Sequence, residues 1–375
     1  MASAFLYGSL CHGPLLERVF GEAVADRAVA AQLKDHAVGW DMGQSIAMLV
    51  ARAGDVADGL LVQDLSAQEQ AKLAFFTGAF GCKPHPVTVQ TGAGAQRSVS
   101  YEPQTDGPAS AVPWSLADWH RDWGAISLRM ADEIMSYFGQ REAEYIHRWL
   151  PLIRMRAASW VRAQAEGPPV GPRRGFDGND VETRSIQRPY VKFFMLEEQN
   201  LRFRQFDGGF SDVVDRAALV SGDAVTVLPY DAARDRVLII EQFRVGPWVR
   251  GDPRPWSLEP IAGRIDPGES PEDAVHREAM EEAGLSLQRL ELVARYYPSP
   301  GANTEYIYSY VALADLPDSA AGIGGQASEA EDIRGILLSF GALMDLLASG
   351  QAENAPLILT AQWLAAMRAR LRGGA

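Results

Sequence analysis

The stretch GRIDPGESPEDAVHREAMEEAGL, from Gly263 to Leu285, carries a full set of start and stop signals for one helix. Ser270 is a preferred residue for capping a helix N-terminus, and Pro271 suits the first helical position. Gly284 can adopt the left-handed conformation that ends many helices. The sequence therefore predicts a helix from 271 to 283, and any fold for this chain has to accommodate it.

The predicted helix concentrates acidic side chains on one side. Glu278 and Glu282 are four residues apart and share a face, with Glu281 beside them, so three carboxylates are expected to converge despite their repulsion. A hard cation would relieve that repulsion, and Mg²⁺ characteristically takes one or two carboxylates together with substrate phosphates and water. Taken alone, such an acidic run is more typical of a solvated helix face. The wider pattern decides between the two interpretations.

The residues around the helix match the Nudix signature G-x5-E-x7-R-E-U-x-E-E-x-G-U at every fixed position. The seven fixed residues are Gly263, Glu269, Arg277, Glu278, Glu281, Glu282 and Gly284. At roughly one in fifteen each, they would occur together by chance about once in 10⁸ windows. Of the two aliphatic positions, Leu285 is typical and Ala279 is small. The segment resembles a Nudix hydrolase, a family that cleaves nucleoside diphosphates linked to another moiety with Mg²⁺ held by the glutamates of this box.

The resemblance covers about residues 178 to 375 and is closest to bacterial ADP-ribose pyrophosphatases. These enzymes have a proline about sixteen residues after the last box glycine, and Pro300 follows Gly284 at that distance. Four further blocks agree in order, GNDVE, VLPYDAARDRVLIIEQFR, EAEDIRG and NAPLILTAQWL. The resemblance implies a Nudix α/β/α sandwich that hydrolyses ADP-ribose to AMP and ribose 5-phosphate with Mg²⁺, or with Mn²⁺ as an alternative.

The resemblance also assigns roles to residues of the box. Glu278 and Glu282, with the backbone carbonyl of Ala262, resemble the Mg²⁺ ligands of the family. Arg277 and Glu269 look structural, as an opposite-charge pair that holds the loop onto the helix, although two independent surface charges are the alternative.

Four residues outside the box match substrate-binding positions of the family. Arg244, in EQFR, and Arg216 correspond to residues that bind phosphate or the terminal ribose, a role that suits a guanidinium. Glu305 matches a substrate-side carboxylate, and a solvated loop acid is the alternative. Phe193 matches an aromatic that stacks on adenine from the partner subunit, and a core phenylalanine is the alternative. The adenine-stacking role implies a homodimer with exchanged N-terminal strands.

The general base is expected outside the box, because Mg²⁺ ligation occupies the lone pairs of the box glutamates. The segment GGQASEAEDIRG contains Gly324 and Gly325 as hinge points and is expected to be a mobile loop that closes over substrate. In the related pyrophosphatases the proposed base is the first glutamate of this pattern, Glu329 here, with Glu331 as the alternative. The predicted catalytic residues are Glu329, Glu278, Glu281 and Glu282.

The first part of the chain carries a second resemblance. FLYGSL, followed by a strand, the helix SAQEQAKL and HPVTV, is similar to the γ-glutamylcyclotransferase or AIG2-like fold, a small β-barrel whose Tyr-Gly-Ser loop offers amides to an anionic ligand. Cyclotransferases use a glutamate as acid and base, whereas Ala74 and Thr77 stand at the matching acidic places here, and residues 73 to 85 contain no carboxylate. The domain is therefore predicted to be inactive. Together the two halves resemble TrgB-type tellurite resistance proteins, which suggests a link to tellurite resistance.

The chain is predicted to be a two-domain protein of mixed α+β and α/β class. The domains are a cyclotransferase-like domain at 1–112, a helical extension at 113–165, a Pro- and Gly-rich linker at 166–178 and the Nudix domain at 179–375.

Composition excludes several partners. A formal charge of −13 argues against binding long nucleic acids, which requires a basic surface. The only cysteines, Cys11 and Cys82, predict neither a disulfide framework nor a zinc site. No signal peptide and no apolar run of about 18 residues is evident, so we expect a cytoplasmic protein without a membrane partner.

Two classes of function remain open, an enzyme and a sensor that binds ADP-ribose without hydrolysing it. A pure sensor does not need every catalytic carboxylate, so the complete box favours the enzyme. Its substrate is a nucleoside diphosphate sugar, either ADP-ribose or a related compound.

Overall fold

The computed structural model describes residues 2–21, 24–40, 46–103, 113–167, 171–326 and 331–373. The chain divides into two compact units, Met1–Pro169 and Val170–Ala375. The division falls inside the linker predicted at 166–178. No helix among these described ranges is long and apolar enough to cross a membrane.

The first unit is built on five strands that close into a barrel in the order β1-β3-β2-β4-β5. The strands are β1 (Ala2–Leu6), β2 (Ala28–Trp40), β3 (Ala47–Leu65), β4 (Cys82–Thr91) and β5 (Gly94–Pro103). Neighbouring strands are antiparallel except β1 and β5, which are parallel. An apolar cluster that includes Phe5, Leu61 and Val89 packs within this unit. The barrel-like sheet that the sequence predicts is present.

Helices accompany the barrel. They are α1 (Gly13–Phe20), α2 (Ala67–Ala79), α3 (Leu116–Trp119), α4 (Ala125–Met135), α5 (Ala143–Arg148) and α6 (Leu150–Ala165), with a π-helical turn at His120–Gly124. Helix α2 begins at a capping box, in which the hydroxyl of Ser66 accepts from the Glu69 amide and the Glu69 carboxylate accepts from the Ser66 amide. Helices α3 to α6 form the helical extension, and the buried pair Glu133–Arg156 joins α4 to α6.

The second unit opens with a three-stranded antiparallel sheet. Its strands are β6 (Val181–Val191), β7 (Met195–Phe203) and β8 (Val214–Val220), in that order. Most of its residues are exposed, because the pattern of apolar residues does not give either face a continuous core.

The main sheet of the second unit has eight strands. These are β9 (Ala224–Asp231), β10 (Arg236–Phe243), β11 (Trp256–Glu259), β12 (Ile261–Arg264), β13 (Leu287–Tyr296), β14 (Ile307–Ala314), β15 (Ile323–Gly324) and β16 (Ile333–Ser339). The order is β13-β14-β9-β10-β16-β15, with β11 paired to β10 and β12 paired to β9. The helices are α7 (Val245–Arg250), α8 (Pro271–Ala283), α9 (Phe340–Ala348) and α10 (Ala355–Gly373).

Two apolar clusters form on this sheet because its central strands are apolar on both sides. Val225 and Val227 of β9 pack in one cluster with Ala279 of α8. Leu228 of β9 packs in the other with Leu364 of α10, alongside residues of α9. Helices therefore cover both faces of the sheet, and the layered arrangement presents α8 beside β12.

Candidate active site

Helix α8 begins and ends where the sequence predicts. The hydroxyl of Ser270 accepts a hydrogen bond from the amide of Asp273 at 3.1 Å, and Pro271 is the first helical residue. Gly284 ends the helix with a φ of 62°, a left-handed conformation that suits glycine. The local signals alone account for both ends of this helix.

Strand β12 brings the backbone of residues 261 to 264 against the acidic side of α8. The amide of Ala262 donates to the Glu282 carboxylate, with N to Oε2 at 3.3 Å. The carboxylate of Glu278 lies directly over Gly263, so closely that a Cβ on residue 263 would be 1.8 Å from Oε1. The tertiary structure thus brings together Ala262, Glu278 and Glu282, the three predicted metal ligands.

Burial changes the protonation of these two glutamates. Glu282 is 4% exposed, and burial followed by the charge of Glu278 raises its pKa to about 8. Burial likewise raises the pKa of Glu278 to about 7, against the lowering effect of Arg277. Carboxylate oxygens are hard donors of the kind that suits Mg²⁺.

Arg277 connects the helix to the loop before it. Its guanidinium donates to both oxygens of Glu269, with Nε to Oε1 at 2.9 Å and Nη2 to Oε2 at 3.0 Å, so the predicted structural pair is confirmed. Nη2 also donates to the carbonyl of Arg264 at 2.8 Å. Nη1 reaches Glu278 at 2.7 Å and Glu281 at 3.1 Å. One arginine therefore orients three of the box glutamates, Glu269, Glu278 and Glu281.

Glu278 and Glu281 lie side by side, because Nη1 of Arg277 donates to both carboxylates, and the convergence of all three carboxylates on one cation stays a prediction. Among the residues that the structure describes, no group of three or more His, Cys, Asp or Glu side chains is arranged to hold a metal ion. Glu278, Glu282 and the carbonyl of Ala262 stay the predicted metal ligands.

Arg244 lies just after β10 and pairs with a residue that sequence reasoning missed. Its guanidinium donates to Glu259 at the end of β11, with Nε to Oε1 at 3.0 Å and Nη2 to Oε2 at 2.7 Å. Glu259 is 5% exposed. An acidic residue within the apolar strand sequence WSLEPIAG was the available signal, since a buried carboxylate requires a partner.

Glu305 and Phe193 each had two interpretations from the sequence. Glu305 is partly buried, burial raises its pKa, and the charges of Arg264 and Arg244 act in the opposite direction, so its role stays a prediction. Phe193 is 52% exposed, and the guanidinium carbon of Arg264 lies 4.3 Å from its ring centroid. The interpretation of Phe193 as a core residue is therefore wrong.

The comparisons with known proteins agree with this geometry. Residues 220–360 match the family model described as NUDIX domain. The chain is 39% identical over 189 residues to the ADP-ribose pyrophosphatase of Escherichia coli (strain K12), a match that covers 50% of this chain and 90% of that protein.

The chain belongs to the Nudix family.

Two further relatives show the range of the match. The ADP-ribose pyrophosphatase of Haemophilus influenzae (strain ATCC 51907 / DSM 11121 / KW20 / Rd) is 34% identical over 199 residues, covering 52% of this chain and 91% of the relative. The GDP-mannose pyrophosphatase of Enterobacter sp. (strain 638) is 30% identical over 143 residues, covering 38% of this chain and 73% of the relative. The protein is a Nudix hydrolase, and the family match lies in its second unit.

Arg216 does not interact with the glutamates of the Nudix box among the described residues. It is exposed on β8, and its guanidinium donates to the carbonyl of Asp215 at 2.8 Å. Within the described residues, no hydrogen bond or ion pair joins it to the box glutamates. Its predicted contact with phosphate or ribose stays a prediction.

The loop expected to supply the base of the Nudix site is described only in part. Glu329 lies outside the described residues. Gly324 packs so tightly against α8 that a Cβ there would be 2.0 Å from the carbonyl oxygen of Glu282. The Glu331 carboxylate accepts from the amide of Gln326 at 3.3 Å. Burial raises the pKa of Glu282, and the charges of Glu278 and Glu331 raise it further, so Glu331 lies within electrostatic reach of Glu282.

In the first unit, YGSL forms a tight turn after β1. Gly8 has a φ of 58°, and a Cβ there would be 2.0 Å from the Cβ of Ala47, so only glycine fits. Thr77 is buried in α2, where its hydroxyl donates to the carbonyl of Leu73 at 2.7 Å. The cyclotransferase-like identity of this barrel and its link to tellurite resistance stay predictions.

Proposed function

We propose that the Nudix unit hydrolyses the pyrophosphate bond of ADP-ribose to give AMP and ribose 5-phosphate, in a reaction that requires Mg²⁺. The observation that carries the proposal is the pair of buried carboxylates, Glu278 and Glu282, beside β12. The relatives named ADP-ribose pyrophosphatase, matched over 90% of their length, support ADP-ribose as the substrate.

The carbonyl of Ala262 and the carboxylates of Glu278 and Glu282 would hold the metal. Bound there, Mg²⁺ would neutralise phosphate charge and lower the pKa of a water molecule, and Mn²⁺ is an alternative. Arg277 contributes by holding Glu278 in place at 2.7 Å, and by tying the loop at Glu269 to the same helix. The support for this donor set is its burial, since two neighbouring carboxylates removed from water are stabilised by a bound cation.

The substrate phosphates would be bound by Arg244. Its side chain is 42% exposed, and its Nη1 makes no hydrogen bond with any described residue, so one edge of the guanidinium is available to an anionic oxygen. Glu305 faces Arg264 and Arg244 and would accept hydrogen bonds from the ribose hydroxyls. We assign the deprotonation of water to Glu329, with Glu331 as the alternative because its carboxylate lies within electrostatic reach of Glu282.

We also propose that the protein is a homodimer in which Phe193 stacks on the adenine bound by the partner subunit. The support is the three-stranded sheet, whose apolar side chains are exposed. These are Val181, Ile186, Tyr190, Phe193, Phe203 and Leu219. Arg216 lies on this same sheet and would contact phosphate or ribose in the dimer. The two cysteines are free thiols, which is consistent with a cytoplasmic location.

A panel of nucleoside diphosphate compounds, assayed with and without Mg²⁺, tests the proposal. ADP-ribose is expected to give the highest kcat/KM, and chelation of the metal is expected to abolish turnover. The relatives named GDP-mannose pyrophosphatase favour a second candidate substrate. If GDP-mannose exceeded ADP-ribose by about tenfold, that candidate would replace ours. Binding of ADP-ribose without any turnover would instead identify a sensor.

A further inference from the structure

Arg244 is influenced by the charges of the carboxylates of Glu259, Glu282 and Glu331, but among the described residues its guanidinium is hydrogen-bonded to Glu259 alone. Its guanidinium donates to Glu259 through Nε and Nη2. Burial acts to lower the pKa of Arg244, but the hydrogen bonds and charge of Glu259 outweigh it, and the charges of Glu282 and Glu331 raise the pKa further. Arg244 therefore lies within electrostatic reach of a predicted metal ligand and of the candidate base, while Glu259 holds it.

Both residues of the Arg244–Glu259 pair are held in place by the surrounding structure. Glu259 is opposite Ile240 in the β10–β11 ladder, and Ile240 belongs to the apolar cluster that packs against α8. The backbone of Arg244 is held as well, because its amide donates to the carbonyl of Pro255 at 2.8 Å. A carboxylate buried in such surroundings is stable only when it is paired with a cation. The ion pair therefore stabilises Glu259 and orients the guanidinium of Arg244 at the same time.

We propose that Glu259 is a positioning residue, which holds Arg244 away from Glu282 and Glu331 and keeps one edge of the guanidinium open for a substrate phosphate. The inference rests on the proposed function of this unit. Without Glu259, Arg244 would pair with the next carboxylate in reach. That pairing would remove a phosphate donor and neutralise a metal ligand at the same time.

The first test is Glu259→Gln, which keeps the shape of the side chain and removes its charge. Loss of a hydrogen-bonded charge pair is expected to lower kcat/KM for ADP-ribose by about 10- to 100-fold. Most of the loss should appear in KM, because phosphate is bound before the reaction as well as during it. Glu241→Gln is the matched control. Glu241 lies on β10 next to Ile240, the residue opposite Glu259, so its side chain is on the other face of the sheet, where it pairs with Arg334 at 3.0 Å. The kcat/KM of Glu241→Gln should therefore not change.

A double-mutant cycle separates positioning from a structural role. In an Arg244→Ala background, Glu259→Gln is expected to change kcat/KM by less than about twofold, since nothing is left to position. The same fractional loss in both backgrounds, or full activity of Glu259→Gln alone, would overturn the inference. Melting temperatures are measured for every variant, and Glu259→Asp, which keeps the charge, replaces Glu259→Gln if that variant does not fold.

Failure of the proposed function is distinguishable from failure of this inference. If the wild-type protein hydrolyses no compound of the panel, the cycle is run on the calorimetric dissociation constant for ADP in the presence of EDTA. Glu259→Gln should then weaken ADP binding only when Arg244 is present. A wild-type protein that does not bind ADP, or equal weakening in both backgrounds, contradicts the inference.

Discussion

The carboxylate of Glu278 occupies the space that a side chain on Gly263 would need. A Cβ at position 263 would be 1.8 Å from Oε1 and 1.9 Å from the carboxyl carbon of Glu278. No rotation of a methyl group relieves such an overlap, so either the strand or the glutamate has to move. Residue 263 therefore has to be glycine, because the carboxylate of Glu278 can lie this close to the strand only when residue 263 has no side chain.

Gly263→Ala is expected to displace Glu278 and to lower kcat by about 10² or more, the usual scale for misplacing a group by about 1 Å. The measurement is steady-state hydrolysis at saturating Mg²⁺, together with metal affinity, which should weaken. Gly341→Ala in α9 is the control, because the nearest atom to its Cβ would be 3.9 Å away. Equal activity of both variants would contradict the argument.

Glu329→Gln is expected to lower kcat by about 10², the scale for loss of a positioned base, with little change in metal affinity. Glu331→Gln is the paired variant, since the Glu331 carboxylate lies within electrostatic reach of Glu282. A loss confined to Glu331→Gln would transfer the role of base to that residue. Wild-type rates for both would mean that no residue of this loop acts as the base.

Mg²⁺ is expected to stabilise the protein more at pH 8 than at pH 6. Burial raises the pKa of Glu278 to about 7 and that of Glu282 to about 8, well above the usual value for glutamate. A raised pKa contributes stability at low pH that is lost as the pH rises towards the folded-state value. The metal-free fold should therefore weaken from about pH 5 to pH 8, and a cation that binds the ionised pair should offset that loss.

Differential scanning calorimetry with and without Mg²⁺ at both pH values checks this dependence. Each proton released on binding strengthens Mg²⁺ affinity by up to about tenfold per pH unit. Glu282→Gln should remove most of the pH-dependent gain, because the amide does not ionise. An equal increase in melting temperature at pH 6 and pH 8 for the wild type would count against metal binding at this pair.

Asp235 ties the turn after β9 to the C-terminal helix. Its carboxylate accepts from the hydroxyl of Tyr230 and from Nε of Arg368, both at 2.8 Å, and Arg372 lies 2.9 Å away. The hydrogen bond from Arg368 is the largest cause of a pKa well below the usual range. A depressed pKa contributes stability above the usual aspartate value, which is lost as the pH falls through the folded-state value.

Asp235→Asn is expected to destabilise the protein by about 2 kcal/mol at pH 7, the scale for hydrogen bonds to a charged group. The difference from wild type should shrink below about pH 4, where the wild-type carboxylate begins to lose its advantage. Asparagine tolerates the left-handed φ of 55° at this position, so backbone strain does not confuse the comparison. Asp345→Asn on α9 is the control, with an expected change under about 0.5 kcal/mol.

The whole chain is expected not to release 5-oxoproline from γ-glutamyl dipeptides. The resemblance predicted from the sequence puts Thr77 where cyclotransferases carry their glutamate, and its buried hydroxyl already donates to the carbonyl of Leu73. A threonine does not exchange protons near neutral pH as a carboxylate does. Chromatographic detection of 5-oxoproline at enzymatic rates would show that another residue of the first unit supplies the acid and base.

The sequence was sufficient to predict both ends of α8, because the interactions that begin and end a helix act between residues only a few positions apart. Ser270 caps the amide of a residue three positions away, and Gly284 ends the helix through its own backbone conformation. The pairing of Arg277 with Glu269 was equally predictable, since both residues belong to one short segment with fixed spacing. Local chemistry and local spacing carried these predictions.

Other features depended on contacts between distant segments. Exposure of Phe193 under Arg264 was not predictable, because the two residues are far apart in sequence and meet only in the folded chain.

The sequence by itself determined the helix, its ends, the seven residues of the box and therefore the kind of chemistry that the second unit performs. The tertiary structure decided that Glu259 holds Arg244, that Glu278 lies over Gly263, and that Glu278 and Glu282 have raised pKa values. The physical reason is that burial and strand register are properties of the packed sheet. A carboxylate acquires its desolvation and its partner only when β10, β11, β12 and α8 come together.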